Sequence, residues 1–197
     1  SLDVRVLGVA GGSMVRAGKG GIVDVGPRSA HIANVGYACF TDPELFEGAS
    51  LYYMQPREND PSDYVAIRLN NGESVTITNT CAANVLGILA EGDYARGNVE
   101  SATKAIKLLA DEVGMSVQDT ARTILQKSTD KIKPVIEDLI SKYKIERDQI
   151  VLVGAGGGAG TLLTFTANDM GFKYQIPENA EVISSIGVAL AMVREMV

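Results

Sequence analysis

Two glycine-rich stretches hold the residues best suited to chemistry, VLGVAGGS at 6–13 and VLVGAGGGAG at 151–160. The second sets five glycines into the seven positions 154–160, directly behind a run of β-branched and leucine side chains. Glycine is costly in backbone entropy, so a cluster marks positive φ or close approach of the main chain to a partner. Where such a turn joins a strand to a helix, it bares backbone N–H groups at the helix N-terminus, and the macrodipole there favours an anion. In an open α/β sheet that place is the carboxyl end of a strand, where ligands collect. Close strand–helix packing accounts for one such loop equally well; two loops in one chain favour a bound phosphate or nucleotide. The binding candidates are therefore Gly11, Gly12 and Ser13 in the first loop, and Gly154, Gly156, Gly157, Gly158 and Gly160 in the second.

Two known nucleotide motifs compete for these residues. The series Gly154-x-Gly156-x-x-Ala159 fits the dinucleotide fingerprint, and Glu178 follows at about the twenty-residue spacing of the ribose acid. That fingerprint normally opens a long βαβ series, whereas a single helix is expected after Glu178. A phosphate-loop pattern from Gly12 to Gly18-Lys19 is one residue too long and has Gly20 where Ser or Thr would hold magnesium. It also falls where a hairpin turn is expected.

His31 is the sole histidine, and with Arg28 it is the candidate for catalytic work. Imidazole titrates near neutral pH, and an arginine fork suits carboxylate or phosphate. Both also read as ordinary loop side chains. One histidine builds no metal site without carboxylates, and Asp24 and Asp42 are near only in sequence; no metal ligands are assigned. Cys39 and Cys81 show no C-x-x-C spacing and read as small buried apolar residues. Glu181, Ser184 and Ser185 either face the second loop or complement a helix dipole.

The elements that must position these groups follow from local grammar. VRVLGVA (4–10) and GGIVDVGPR (20–28) read as two strands of a hairpin, with the turn over 16–20. Residues 41–63, with three prolines and several acids, read as a loop excursion. DYVAIRL and SVTITNT flank Asn70-Asn71-Gly72, a hairpin signal. Thr80 caps a helix to Leu89, residues 99–114 form a second helix ending on Gly114, and Ser116 with Asp119 opens a long one to about Lys144. Pro134 is expected to kink or divide it. The remainder alternates: strand QIVLVG, helix TLLTFTANDMG, strand FKYQIP and a closing helix AEVISSIGVALAMVREM, which requires a crossover and a parallel strand pair.

Composition limits the partners. The chain has 197 residues, a formal charge of −6 and 46% hydrophobic residues. The acidic balance argues against a general nucleic-acid binder, which needs a basic face. No run reaches transmembrane length and no signal peptide is read, so no membrane partner and a cytoplasmic, reducing setting are expected.

The stretch DVRVLGVAGGSMVRAGKGGIVDVGPRSAHIANVGYACF resembles the hydantoinase A and 5-oxoprolinase family, whose form is close to G-A-G-G-G-S, then V-G-P-x-S-A, then P-A-C-Y. The matching letters are Gly8, Gly11, Gly12 and Ser13; Gly26, Pro27, Ser29 and Ala30; and Ala38 and Cys39. GMSVQDTARTILQKSTDKI and the closing VLVGAGGGAGTLL and ISSIGVALAMV are similar to the C-terminal half of the same family, in matching order. The resemblance implies an actin-like ATPase (ribonuclease H-like) lobe, α/β with a mixed sheet flanked by helices, in which residues 1–197 are one domain and the second ATPase lobe of a longer parent. It implies that 6–15 is the second phosphate loop and 153–160 the adenosine loop, with ATP and magnesium as cofactors. It also implies a cyclic amide such as hydantoin or 5-oxoproline as substrate, its inert amide oxygen phosphorylated to become a leaving group. The family's magnesium-holding Asp-x-Gly-Gly-Thr stretch does not occur in these residues and is expected before Ser1, so the chain alone is expected to be inactive. The missing N-terminal lobe, a second subunit or a second copy of the chain are the expected partners. Asn34-Val35-Gly36-Tyr37 stands where the family carries Asp-Pro-Gly-Pro, and Thr161-Leu162-Leu163 where hydantoinases carry Pro-Leu-His, which leaves the substrate open. Two other readings stay open, an actin-like chaperone or reactivating factor and a dinucleotide-binding module.

Overall fold

The computed structural model describes residues 7–155, 159–176 and 187–192. The first half is β1 (Ser13–Gly18), β2 (Gly21–Ser29), the one-turn helix α1 (Ala30–Ala33), β3 (Gly36–Tyr37), β4 (Ser50–Met54), β5 (Tyr64–Arg68) and β6 (Ser74–Thr76). The second is α2 (Asn79–Leu86), α3 (Val99–Val113), α4 (Val117–Tyr143), β7 (Ile150–Ala155), α5 (Ala159–Met170), β8 (Lys173–Gln175) and β9 (Gly187–Met192). The strands form a six-stranded mixed sheet in the order β2-β1-β5-β6-β3, with β4 also on β5, and a three-stranded sheet β8-β7-β9.

Alternation along the strands decides which face meets the helices. Val15 and Ala17 of β1 and Val65 and Ile67 of β5 enter the main core with α2 to α5, whereas Met14 and Tyr64 point the other way and bury against Ala30. The parallel β7–β8 pair joined through α5 is the crossover read from the alternating pattern. Helix ends follow their caps. Asn98 accepts from Ser101 N–H at 2.9 Å, Ser116 accepts from Asp119 N–H at 3.1 Å, and Gly114 closes α3 at φ 71°. On α4, Ala121, Ile124, Leu125, Ile132, Ile136 and Ile140 make the buried stripe.

Several expectations change. Residues 7–10 are irregular rather than strand, and the hairpin is β1 with β2, turning at Lys19-Gly20. Arg16 therefore lies in a strand: its guanidinium pairs with Asp63 at 2.8 Å and sits 5.7 Å from the Tyr64 ring centroid. The 41–63 excursion contains β4, paired with β5 from Ser50↔Arg68 to Met54↔Tyr64. Thr78, not Thr80, caps α2. Pro134 leaves α4 undivided; it is exposed, so the Asp130 carbonyl deprived of its partner lies on the solvent side. In place of part of the closing helix, Gly187–Met192 is a strand antiparallel to β7, an uninterrupted apolar run that suits a sheet position as well as a helix. The rest of that segment, with Glu178, Glu181, Ser184 and Ser185, lies outside the described residues, as do Gly156, Gly157, Gly158 and the first three residues of the 4–10 strand.

Candidate functional site

The two glycine elements meet on the first turn of α2. That helix has no polar face: Asn79 through Val85 are all buried, and their small side chains admit close neighbours on every side. Its buried polar groups must then find protein partners. Asn79 Nδ2 donates to the Ala10 carbonyl at 2.8 Å, and its Oδ1 accepts from Ser128 Oγ of α4 at 2.7 Å. Thr80 grips the Gly11 carbonyl twice, through its N–H and its hydroxyl, each at 3.0 Å. The same hydroxyl lies 3.5 Å from Thr161 Oγ1 in the first turn of α5. Asn84 Nδ2 donates to the carbonyls of Thr80 and Ala95, both at 2.9 Å, while its Oδ1 accepts from Gly97 N–H at 2.8 Å. No buried side-chain N or O among the described residues is left unpartnered.

This anchoring orients the first loop. In a trans peptide the C=O and N–H point opposite ways, so turning the Ala10 and Gly11 carbonyls onto α2 turns the Gly11 and Gly12 N–H groups away from it. Ser13 closes the turn: its Oγ accepts from Ala10 N–H at 2.8 Å, and its own N–H donates to the Ala10 carbonyl at 3.1 Å. The Gly12 carbonyl accepts from Ala30 N–H at 2.9 Å. A Cβ on Gly12 would collide with the Tyr37 hydroxyl, whose ring stacks on Phe40 at 5.5 Å. Burial pushes that hydroxyl above its ordinary pKa, so Tyr37 is a neutral phenol at neutral pH.

In the second element, Gly154 is buried in β7 opposite Val188 of β9, and Gly160 is buried at the start of α5. The Asp93 carboxylate rests against Gly160 where a Cβ would be, with its other oxygen accepting from Ala95 N–H at 2.8 Å. An acid there complements the helix N-terminus.

The catalytic candidates flank the residues that bond the first loop: Ser29 pairs with Ser13 and Ala30 N–H reaches the Gly12 carbonyl, with Arg28 before them and His31 after. His31 is exposed on α1. Arg28 donates through Nε to Asp60 at 2.8 Å; this bond holds the Asp60 carboxyl below its ordinary range and raises the guanidinium. Asp24 pairs with Lys131 at 2.9 Å and with Arg16 at 3.8 Å. Among the described residues no three His, Cys, Asp or Glu side chains gather as metal ligands. Cys39 and Cys81 are fully buried, and a hydrogen bond to the Cys81 sulfur together with burial drives the Cys39 thiol upward. Reading the sequence singled out none of Asn79, Asn84 and Asp93, and noted Thr161 only as a departure from the family pattern. The available signal was TNTCAANV, a helical stretch too small and polar to be amphipathic, as befits a helix surrounded by protein.

The hydantoinase/oxoprolinase family model matches residues 1–197. The chain belongs to this family. It is 28% identical to caprolactamase subunit alpha of Pseudomonas jessenii over 203 residues, covering 98% of this chain and 24% of that protein. The crystal structure of the ATP-dependent caprolactamase from the same organism superposes with a TM-score of 0.60 at 28% identity, over 92% of this chain and 23% of that one. A nucleotide-free acetone carboxylase matches in fold at 20% identity and TM-score 0.50, over 83% of this chain and 20% of that one. This hydantoinase/oxoprolinase chain thus has the α/β, actin-like ATPase fold that the resemblance implied, and spans about a quarter of the length of its relatives.

Proposed function

We propose that this hydantoinase/oxoprolinase chain is the second, nucleotide-binding lobe of an ATP-dependent enzyme that opens a cyclic amide. The observation that carries the reading is the convergence of both glycine elements on Thr80, from Gly11 on one side and Thr161 on the other. Gly11 and Gly12 then face the terminal phosphates through backbone N–H groups and Ser13 through its hydroxyl, and 154–160, including Gly154, Gly156, Gly157, Gly158 and Gly160, face the adenosine. The P. jessenii relative is named for a lactam, caprolactam, and is described as ATP-dependent, which supports a cyclic amide substrate and ATP here. Its designation as an alpha subunit supports a second subunit.

Magnesium in such an enzyme is expected to be held mainly by residues outside this chain, because the family's Asp-x-Gly-Gly-Thr stretch has no counterpart in these residues. Transfer of the terminal phosphoryl group of ATP to the amide oxygen, with release of ADP, would make the ring carbon electrophilic enough for water to add and for the C–N bond to break, giving an amine and an acyl phosphate that water hydrolyses to carboxylate and phosphate. This lobe's part is to hold the nucleotide rather than to attack the ring. His31 on α1 and Arg28 at the end of β2 are the candidates for contact with substrate.

The test uses the full-length protein with its partner subunit. ATPase activity dependent on a lactam, hydantoin or 5-oxoproline supports the reading. Saturable NADH binding with no response to an ATP analogue overturns it in favour of a dinucleotide module. ATP turnover that responds to a protein client and to no cyclic amide overturns the substrate assignment in favour of a reactivating factor.

A further inference from the structure

We infer that Thr80 is a positioning residue that registers one glycine element against the other, and that its joint to Thr161 closes when nucleotide binds. The inference rests on the nucleotide-lobe reading above. A threonine hydroxyl has a single proton, and that of Thr80 is donated to the Gly11 carbonyl at 3.0 Å. Its oxygen is then left to accept from Thr161, at a separation of 3.5 Å that is long beside the usual 2.7–2.8 Å for O–H···O.

The slack is local. Thr80 is fixed through its own backbone, its N–H to Gly11 at 3.0 Å and its carbonyl to Asn84 at 2.9 Å. Next door, Asn79 ties the same loop to α4 with closed bonds of 2.8 and 2.7 Å. The first glycine loop, α2 and α4 are therefore one hydrogen-bonded unit; α5 is tied to α4 farther along by Thr129–Thr166 and Lys133–Asp169, both at 3.0 Å, and its open joint is at its first turn, where it leads out of the second glycine element. A ligand held by both elements draws that first turn of α5 toward α2 and shortens the joint, so the Thr80 hydroxyl contributes more when the ligand is held. Hydrogen bonds around binding sites commonly tighten in this way on complex formation.

The experiment is calorimetric titration of the full-length protein with a non-hydrolysable ATP analogue, with thermal melting of each variant alongside. Thr80→Val is expected to weaken binding about three- to tenfold, the range of one hydrogen bond, and Thr80→Ser to restore it. Thr161→Val approaches the same joint from the other side, and is expected to weaken binding by a similar factor. The double variant is expected to be no weaker than Thr80→Val, which already removes the joint to Thr161 along with the hydroxyl bond to Gly11. Tyr52→Phe removes a hydroxyl pair outside α2, α4 and α5, Tyr52 with Ser74 at 2.7 Å; it is expected to lower the melting temperature and leave affinity unchanged. Wild-type affinity in Thr80→Val, failure of Thr80→Ser to restore it, additive losses in the double variant, or equal weakening by Tyr52→Phe overturns the inference while leaving the nucleotide lobe standing. Absence of analogue binding by the wild type instead removes the nucleotide-lobe reading itself, and the inference with it.

Discussion

Gly12 has no room for a side chain, and the reason is a tyrosine. The Tyr37 hydroxyl occupies the place of a Cβ at this position. Gly12→Ala must push the stacked Tyr37 ring aside, with an expected loss of about 1–3 kcal/mol. Adding Tyr37→Phe to that variant returns part of the stability, because the hydroxyl is the atom in the way; thermal melting of the single and double variants reads this. The bareness of Gly12, taken from sequence as a sign of a ligand, is thus accounted for by close packing, whereas that of the Gly11 peptide goes with its grip by Thr80. Sequence reading placed both cysteines in the interior, and they are there: neither Cys39 nor Cys81 is expected to be alkylated in the folded protein, and both should react after unfolding, as peptide mass mapping would record. The Arg28–Asp60 pair sets a pH dependence. Because the folded Asp60 carboxyl lies below its ordinary value, the pair's contribution is complete above about pH 4 and is lost as pH falls through the folded value. Asp60→Asn should therefore melt lower than wild type at neutral pH, and the gap should narrow in acid.

At the scale of elements, local signals served where an element carries its own ends. α3 and α4 were legible because Asn98, Gly114 and Ser116 stop and start them and their apolar stripes have helical spacing. β1 was not, because SMVRAG places an arginine and a glycine in a strand whose arginine is held by Asp24 across the hairpin and by Asp63 and Tyr64 far along the chain. β4 was hidden among acids and prolines and exists through its ladder to β5. α2 was legible as a helix but misjudged at its start by two residues. Thr78 accepts from Cys81 N–H at 3.4 Å, so Thr78→Ala is expected to lower stability by about 1 kcal/mol and Thr78→Ser to recover most of it, measured by chemical denaturation.

At the scale of the molecule, the family and the α/β class were legible from the order of short motifs, whereas the seam between the glycine elements was not. It depends on contacts between residues 69 and 81 positions apart, which no local pattern announces. If the lobe binds nucleotide, a saturating ATP analogue at about a hundred times its Kd should raise the free energy of unfolding by about 2.7 kcal/mol, seen as a higher melting temperature of the full-length protein. The enclosure of α2 also has a consequence for biosynthesis. Its residues Asn79–Val85 are buried against helices that begin at Val99, Val117 and Ala159. At the usual pace of ribosomes, the 81 residues between Thr80 and Thr161 take about 4–16 s to emerge. For that interval the nascent chain carries a sticky, uncovered helix, and a truncated product ending before α5 would keep it, marking such fragments as clients for chaperones and proteases.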